Sequence, residues 1–172
     1  MPALTGPALV AAALLVVAGA AKVADPANTA GALRAMRLPS SSTLVRCGAA
    51  VEAAIGVTAI VVGGAVPWAL VAASYLAFAV FVVAALRAGT MIGSCGCFGH
   101  EDTPPHPVHV ALDLVLAGVA AAAAAQGLVP ADAIADDPGQ GVVVVVLAGL
   151  SLALVYAAFV DLPRAWARRH GR

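Results

Sequence analysis

Residues 68–86 read WALVAASYLAFAVFVVAAL, a stretch of nineteen positions without a charged side chain. A helix needs about 20 apolar residues to cross the hydrocarbon core of a bilayer, so this stretch is long enough to span a membrane. The rest of the chain has the same character, because 62% of its 172 residues are hydrophobic and only 10% are charged. A soluble domain has roughly 25% charged residues. The composition therefore excludes a soluble globular enzyme and predicts an integral membrane protein.

Four further apolar runs lie on either side of this stretch, and together they predict an all-α integral membrane protein. The five predicted transmembrane helices cover residues 7–23, 45–66, 68–86, 107–127 and 142–162. We expect them to form one helical bundle, a single membrane domain over residues 1–172. The first run lacks the basic flank of a cleaved signal peptide and is interpreted as a retained helix.

The segment between the first two predicted spans has a different pattern. Asp25 followed by Pro26 is typical of a helix start, and apolar residues and arginines then alternate at helical spacing. We interpret residues 26–38 as a short amphipathic helix that lies at the membrane surface.

The distribution of charge predicts an orientation for the bundle. Five spans place three regions of the chain on one side of the membrane, and these regions hold all the basic residues: Lys22, Arg34, Arg37, Arg46, Arg87, Arg164, Arg168, Arg169 and Arg172. Because basic loops stay in the cytoplasm, we expect a multi-pass protein of the plasma membrane with its N-terminus outside and its C-terminus in the cytoplasm. A net charge of zero without a basic stripe excludes a nucleic-acid binder.

The most specific motif lies in the loop predicted at residues 87–106, where residues 94–100 read SCGCFGH. The Cα atoms of a disulfide lie about 4.4–6.8 Å apart, so two thiols with one glycine between them can pair only with some strain. Strained, exposed disulfides are the labile or catalytic ones. The motif therefore favours redox chemistry at Cys95 and Cys97, with metal binding or two inert cysteines as the alternatives.

On this motif the sequence resembles the MauE family of methylamine utilisation membrane proteins, within the wider MauE/DoxX group. The likeness rests on Cys95-Gly96-Cys97-Phe98-Gly99 after a third span, the polar segment after the first span and a glutamate near the start of the second, and it covers most of residues 7–127. It implies a four-helix core with one added helix. It also implies a thioredoxin-like partner, with which MauE proteins are held to mature the disulfide-rich small subunit of methylamine dehydrogenase.

Two residues of the second predicted span are further candidates for the redox site. Cys47 lies on the same side as the loop in the predicted topology and could resolve a mixed disulfide, or be an inert small residue. Glu52 lies inside the span, where a carboxylate is costly and is a functional candidate. Its alternative is a structural hydrogen bond to Ser74, Tyr75 or Asp113. The glycines four residues to either side of Glu52 leave room for another helix or for a quinone-sized ligand.

A polar group begins the fourth predicted span. His106, His109 and Asp113 share one helical face and suit a proton relay beside the thiols. The same histidines could join Cys95, Cys97 and His100 in a copper or zinc site. The third interpretation is a polar helix start in the headgroup layer.

The sequence therefore predicts a membrane protein that exchanges disulfides through Cys95 and Cys97, with Cys47 and Glu52 in support. The expected partners are the lipid bilayer and a thioredoxin-like protein. No cofactor is expected, although a quinone is a candidate. The alternatives are a membrane protein that binds or transports copper or zinc, and a scaffold without catalytic activity for a membrane redox complex.

Overall fold

The computed structural model of the protein describes residues 3–88, 105–136 and 138–169, with side chains in the last helix described up to Phe159. The motif residues Cys95, Cys97 and His100 lie outside the described residues, as does most of the loop predicted at residues 87–106. The described ranges include the two helices that carry this loop, one ending at Ala88 and the next beginning at Pro107.

The described chain consists of seven helices and contains no strand. They are α1 (Thr5–Ala24), α2 (Ala27–Ala35), α3 (Ser42–Val61), α4 (Ala65–Ala88), α5 (Pro107–Ala125), α6 (Pro130–Asp136) and α7 (Pro138–Arg169). Five of these helices, α1, α3, α4, α5 and α7, are long and apolar enough to cross a membrane. The prediction of an all-α membrane protein with five spanning helices is confirmed.

The break between the second and third spanning helices lies earlier than the sequence predicts. The predicted span runs to Val66, whereas α3 ends at Val61 and α4 begins at Ala65. Gly63 and Gly64 both have positive φ, +64° and +83°, a conformation that glycine adopts at little cost. These two glycines therefore turn the chain, and Pro67 lies inside the first turn of α4 rather than before it.

Successive spanning helices run antiparallel, as the contacts of Gly19 with Ala49 and of Gly56 with Ala12 show for α1 and α3, and this gives the bundle two distinct ends. We call the end where α1 and α4 finish and α3 and α5 begin the loop end, because residues 89–104 join α4 to α5 there. The opposite end, with the turn at Gly63 and Gly64, is the turn end. The amphipathic helix α2 lies at the loop end, since its Ala32 packs against Ala85 near the end of α4.

The bundle is built from two closely packed pairs of helices, α1 with α3 and α4 with α5. The α1–α3 pair is tight at its glycines. A Cβ atom at Gly19 would lie 2.6 Å from the carbonyl oxygen of Ala49, and one at Gly56 would lie 2.7 Å from that of Ala12. Larger side chains at either glycine would therefore force the helices apart, which is how small residues allow close packing in membranes.

Hydrogen bonds to one carbonyl group tie the turn end together. The oxygen of Leu128, which follows α5, accepts from the indole N–H of Trp68 at 2.8 Å and from the backbone N–H of Gly64 at 3.0 Å. Trp68 is fully buried, so its N–H needs a partner inside the protein. The turn between α3 and α4 is thereby fixed to the end of α5.

Candidate functional site

A buried ion pair joins α1 to α3. The ammonium group of Lys22 donates to both carboxylate oxygens of Glu52, at 2.8 Å and 2.7 Å. The two residues are only 5% and 9% exposed. Removing two charges from water is costly unless they pair closely and are hydrogen-bonded, and this bidentate contact meets that condition.

Aromatic side chains of α4 cover the ion pair. The Nζ atom of Lys22 lies 4.6 Å from the ring centroid of Phe78, within the range of a cation–π interaction. Phe78 in turn packs edge-on against Tyr75, with their ring centroids 6.1 Å apart. The hydroxyl group of Tyr75 donates to the backbone carbonyl of Ala11 at 2.6 Å. The aromatic pair thus connects the α1–α3 pair to α4.

The structure gives Glu52 a partner that the sequence analysis did not name, Lys22. Ser74 donates to the carbonyl of Leu70 and Tyr75 donates to that of Ala11, while the carboxylate of Glu52 accepts from Lys22. Lys22, counted from the sequence among the loop cations, lies within α1 and is buried. One signal could have identified it, since Lys22 falls inside the span predicted at residues 7–23 and charges inside spans usually pair with one another.

His109 connects α5 to α7. The backbone N–H of His106 donates to Nδ1 of His109 at 3.1 Å, and Nε2 lies 2.9 Å from the carbonyl oxygen of Phe159. Because Nδ1 accepts, we assign the proton to Nε2, which donates to Phe159. His106 caps the helix, its own Nδ1 accepting from the N–H of Val108 at 3.2 Å.

A proline explains why this contact falls at Phe159. In an α-helix the carbonyl of residue 159 accepts from the N–H of residue 163, but residue 163 is proline and has no N–H. His109 supplies a donor in its place. Sequence reasoning missed this contact, although a proline inside an apolar helix signals a carbonyl that needs another donor.

Asp113 lies one turn beyond His109 on the same buried face of α5, as the sequence predicts, and is 2% exposed. It lines a small cavity with Tyr75, Phe78 and Phe159. The cavity volume is about 20 Å³, enough for roughly one water molecule. Acidic and aromatic groups of α4, α5 and α7 therefore meet in the interior, next to Phe78, which covers Lys22.

The described part of the chain contains no group of three or more His, Cys, Asp or Glu side chains placed to hold a metal ion. These residues therefore do not form the predicted copper or zinc site by themselves. Both ring nitrogens of His109 already contact backbone groups. Cys47 is an exposed free thiol in the second turn of α3, and so at the loop end. The predicted ligands Cys95, Cys97 and His100 remain outside the described ranges.

Comparison with known families gives one match. A family model described as methylamine utilisation protein MauE matches residues 2–130, which is well over half of the chain. The matched range contains α1 to α5, the ion pair of Lys22 and Glu52, His109 and Asp113, together with the CxC motif. Searches of the curated proteins and of the solved structures found no significant match.

Proposed function

Because this chain belongs to the MauE family, we propose that it exchanges disulfides with a thioredoxin-like partner at the membrane. Family membership and five apolar helices make it a multi-pass membrane protein associated with methylamine utilisation. The observation that carries the proposal is the position of the CxC motif in the chain. Cys95 and Cys97 lie within the matched residues and in the segment that joins α4 to α5 at the loop end.

The proposed reaction is a disulfide exchange in which electrons and protons balance. A thiolate of the reduced partner attacks one sulfur of the Cys95–Cys97 disulfide and forms a mixed disulfide, releasing the other cysteine as a thiolate. The second thiolate of the partner then attacks the mixed disulfide. The partner leaves oxidised, and the CxC pair has gained two electrons. In this direction the protein supports disulfide formation in a substrate, which for the family is the small subunit of methylamine dehydrogenase.

We propose that Glu52 moves protons for this exchange, because thiols must lose protons to react and regain them afterwards. The support is its burial together with Lys22, since ionisable groups inside membrane helices are costly and are functional candidates. Lys22 donates to this carboxylate in the structure. Cys47, exposed near the start of α3, is the candidate for resolving a mixed disulfide.

A double variant that replaces both members of the ion pair by apolar residues tests this role of Glu52. The double variant Lys22→Met/Glu52→Leu keeps apolar side chains at both positions and leaves no buried charge unpaired. If Glu52 moves protons, the double variant folds but exchanges disulfides slowly. Exchange at the wild-type rate would show that the ion pair is only structural.

The orientation proposed for the bundle places the loop end in the cytoplasm. Lys22 no longer supports it because it is buried, whereas Arg34, Arg37, Arg46 and Arg87 all lie at or next to the loop end in the chain. Basic residues on one side favour a cytoplasmic location. A membrane-impermeant maleimide that labels Cys95 and Cys97 rapidly in intact cells would reverse this orientation.

The exchange itself is tested with purified protein in nanodiscs and reduced thioredoxin as the probe. We expect Cys95→Ser and Cys97→Ser each to abolish thioredoxin oxidation, because serine cannot form a disulfide. One of the two should form a stable mixed disulfide with single-cysteine thioredoxin supplied as its nitrothiobenzoate disulfide, because the remaining thiolate attacks that disulfide and releases nitrothiobenzoate. Cys47→Ser tests the candidate role of Cys47 in resolving the mixed disulfide, and exchange at the wild-type rate in this variant would remove Cys47 from the redox site.

Full exchange activity in either CxC variant would rule out the dithiol mechanism. Metal analysis of the same preparation tests the copper or zinc alternative. About one metal ion per chain, with the thiols protected from alkylation until a chelator is added, would favour that alternative.

A further inference from the structure

The chain between α2 and the first turns of α3 exposes both cationic and apolar side chains. Arg34, Arg37 and Arg46 lie within a stretch of thirteen residues, and all three are exposed. Leu38 and Leu44 lie between them and are 46% and 51% exposed. We call these five residues the junction surface. It lies at the loop end, because α2 packs there and α3 begins there.

The apolar side of α2 is occupied by the protein itself. Ala32 is buried against Ala85 of α4, and Met36 and Phe81 pack on the same contact. Arg34 is two positions after Ala32, which is about 200° around the helix. α2 therefore turns its arginine side away from α4, in agreement with the exposure of Arg34.

Arg37 has an unusual backbone conformation for an arginine, with a φ of +58°. Its N–H donates to the carbonyl of Arg34 at 2.9 Å. The N–H of Leu38 donates to the carbonyl of Leu33, also at 2.9 Å. These two hydrogen bonds end α2 in a Schellman motif, where the residue with positive φ is usually glycine. An arginine costs more than glycine in this conformation, which favours a role for its side chain.

The three arginines are not neutralised by carboxylates of the described residues. None of them forms a salt bridge there, and the ion pair that does form joins Lys22 to Glu52. The turn end differs in sign, since it exposes Asp132 and Asp136. The junction surface is therefore a cationic part of a membrane protein at the level of one bilayer surface, where anionic headgroups lie.

We propose that the junction surface binds an anionic phospholipid, with its phosphate on the arginines and its acyl chains against the neighbouring apolar side chains. Guanidinium groups bind phosphate oxygens through paired hydrogen bonds. Leu38 and Leu44 provide apolar contacts beside them, which a soluble anion would not use. Val57 is exposed and lies three turns after Arg46 on the same side of α3. An acyl chain below a phosphate at Arg46 therefore meets an apolar helix face.

One substitution separates lipid binding from folding. Arg37→Gly removes the cation and supplies the residue that adopts positive φ at little cost. We expect this variant to unfold at or above the wild-type temperature without added lipid. Arg46→Gln removes a second cation from the surface. The matched control is Arg87→Gln, which neutralises another exposed arginine at the loop end, outside the junction surface.

Binding is measured with full-length protein in an uncharged detergent, by native mass spectrometry during titration with phosphatidylglycerol or phosphatidylcholine. We expect the wild type to prefer phosphatidylglycerol. Arg37→Gly and Arg46→Gln should each reduce this preference about fivefold, since each basic residue near a bilayer surface contributes an attraction of that size. Arg87→Gln should change it less than about twofold.

Three results would overturn the proposal. The first is a wild type without any preference, as when Glu101 and Asp102 of the segment between α4 and α5 neutralise the arginines. The second is an equal loss in Arg87→Gln, which would make the attraction a property of the whole loop end. The third is displacement of phosphatidylglycerol by inorganic phosphate or by polyglutamate at equal concentration, which would identify a site for soluble anions or acidic peptides.

Discussion

The first and the last spanning helices are both strongly apolar, yet they occupy opposite environments. In α1, 56% of the residues in the most apolar 18-residue stretch are buried inside the protein, whereas in α7 the share is 6%. α1 packs closely on α3 and also contacts α4, α5 and α7. Most of the large side chains of α7, such as Val142, Leu150 and Leu154, are exposed and suit contact with lipid.

This difference teaches that apolar character identifies a spanning helix but not its neighbours. Lipid tails are as apolar as leucine, so contacts between membrane helices depend on small residues and polar groups instead. α1 has both, with Gly19 against α3 and Lys22 paired with Glu52. α7 packs mainly on α1, and the hydrogen bond from His109 to the carbonyl of Phe159 attaches it to α5.

Among the contacts of α1, the ion pair of Lys22 and Glu52 should contribute most to the free energy of unfolding. Lys22→Met leaves the carboxylate of Glu52 buried without its cation, and breaking a buried pair in this way costs about 3–5 kcal/mol. We expect a loss of this size in the free energy of unfolding, measured by denaturant titration in detergent micelles.

The double variant Lys22→Met/Glu52→Leu supplies the control, because it removes both charges and should recover most of the lost stability. If the single and double variants are equally unstable, the packing of the Lys22 side chain against Phe78 matters more than its charge.

The glycines of the α1–α3 contact should have the next largest effect. Gly56→Ala places a Cβ atom 2.7 Å from the carbonyl oxygen of Ala12, so the helices must separate, at a cost of about 1–3 kcal/mol. Gly149→Ala in α7 is the matched control, because an added Cβ atom there meets nothing within 4 Å. Thermal unfolding in micelles should show a lower midpoint for the first variant alone, and equal midpoints would remove the contrast between the two helices.

The smallest expected effect concerns the attachment of α7. His109→Ala removes the donor to the carbonyl of Phe159, and an unsatisfied buried carbonyl costs about 1–3 kcal/mol. Much of this cost falls on α7 alone, so hydrogen exchange near Phe159 should accelerate more than the global stability declines.

Adding Pro163→Ala to this variant should slow that exchange again, since alanine supplies the backbone N–H that proline lacks. If hydrogen exchange near Phe159 is as fast in His109→Ala/Pro163→Ala as in His109→Ala, then His109 holds α7 in some other way.

The sequence is sufficient for the spanning helices because their signal is local. A long run of apolar residues is stable only inside a bilayer or a protein core. All five predicted spans overlap spanning helices in the structure. The end of α3 is less predictable. Val62 and Val66 continue the apolar pattern, and only the backbone conformation of Gly63 and Gly64 shows that the helix has stopped.

The candidate site is predictable in its residue types but not in its pairings. Glu52 and Asp113 stand out because carboxylates are rare inside spans, and both are buried. The partner of Glu52 depends on how α1 and α3 align, which the sequence of either helix alone does not determine. The contact of His109 depends on Phe159, fifty positions along the chain, and on the packing of α7. The roles of Cys95 and Cys97 stay predictions.

The two hydrogen bonds to the carbonyl of Leu128 also make the turn end the fixed point about which the two pairs of helices would tilt. The α1–α3 pair and the α4–α5 pair are joined at this end by the turn at Gly63 and Gly64. α4 has 24 residues and is about 36 Å long. A tilt of about 5° between the two pairs would therefore separate them by about 3 Å at the loop end and leave the turn end unchanged. Phe78, near the middle of α4, covers Lys22 of the other pair. A tilt that widens the loop end would therefore also loosen the cover of the ion pair.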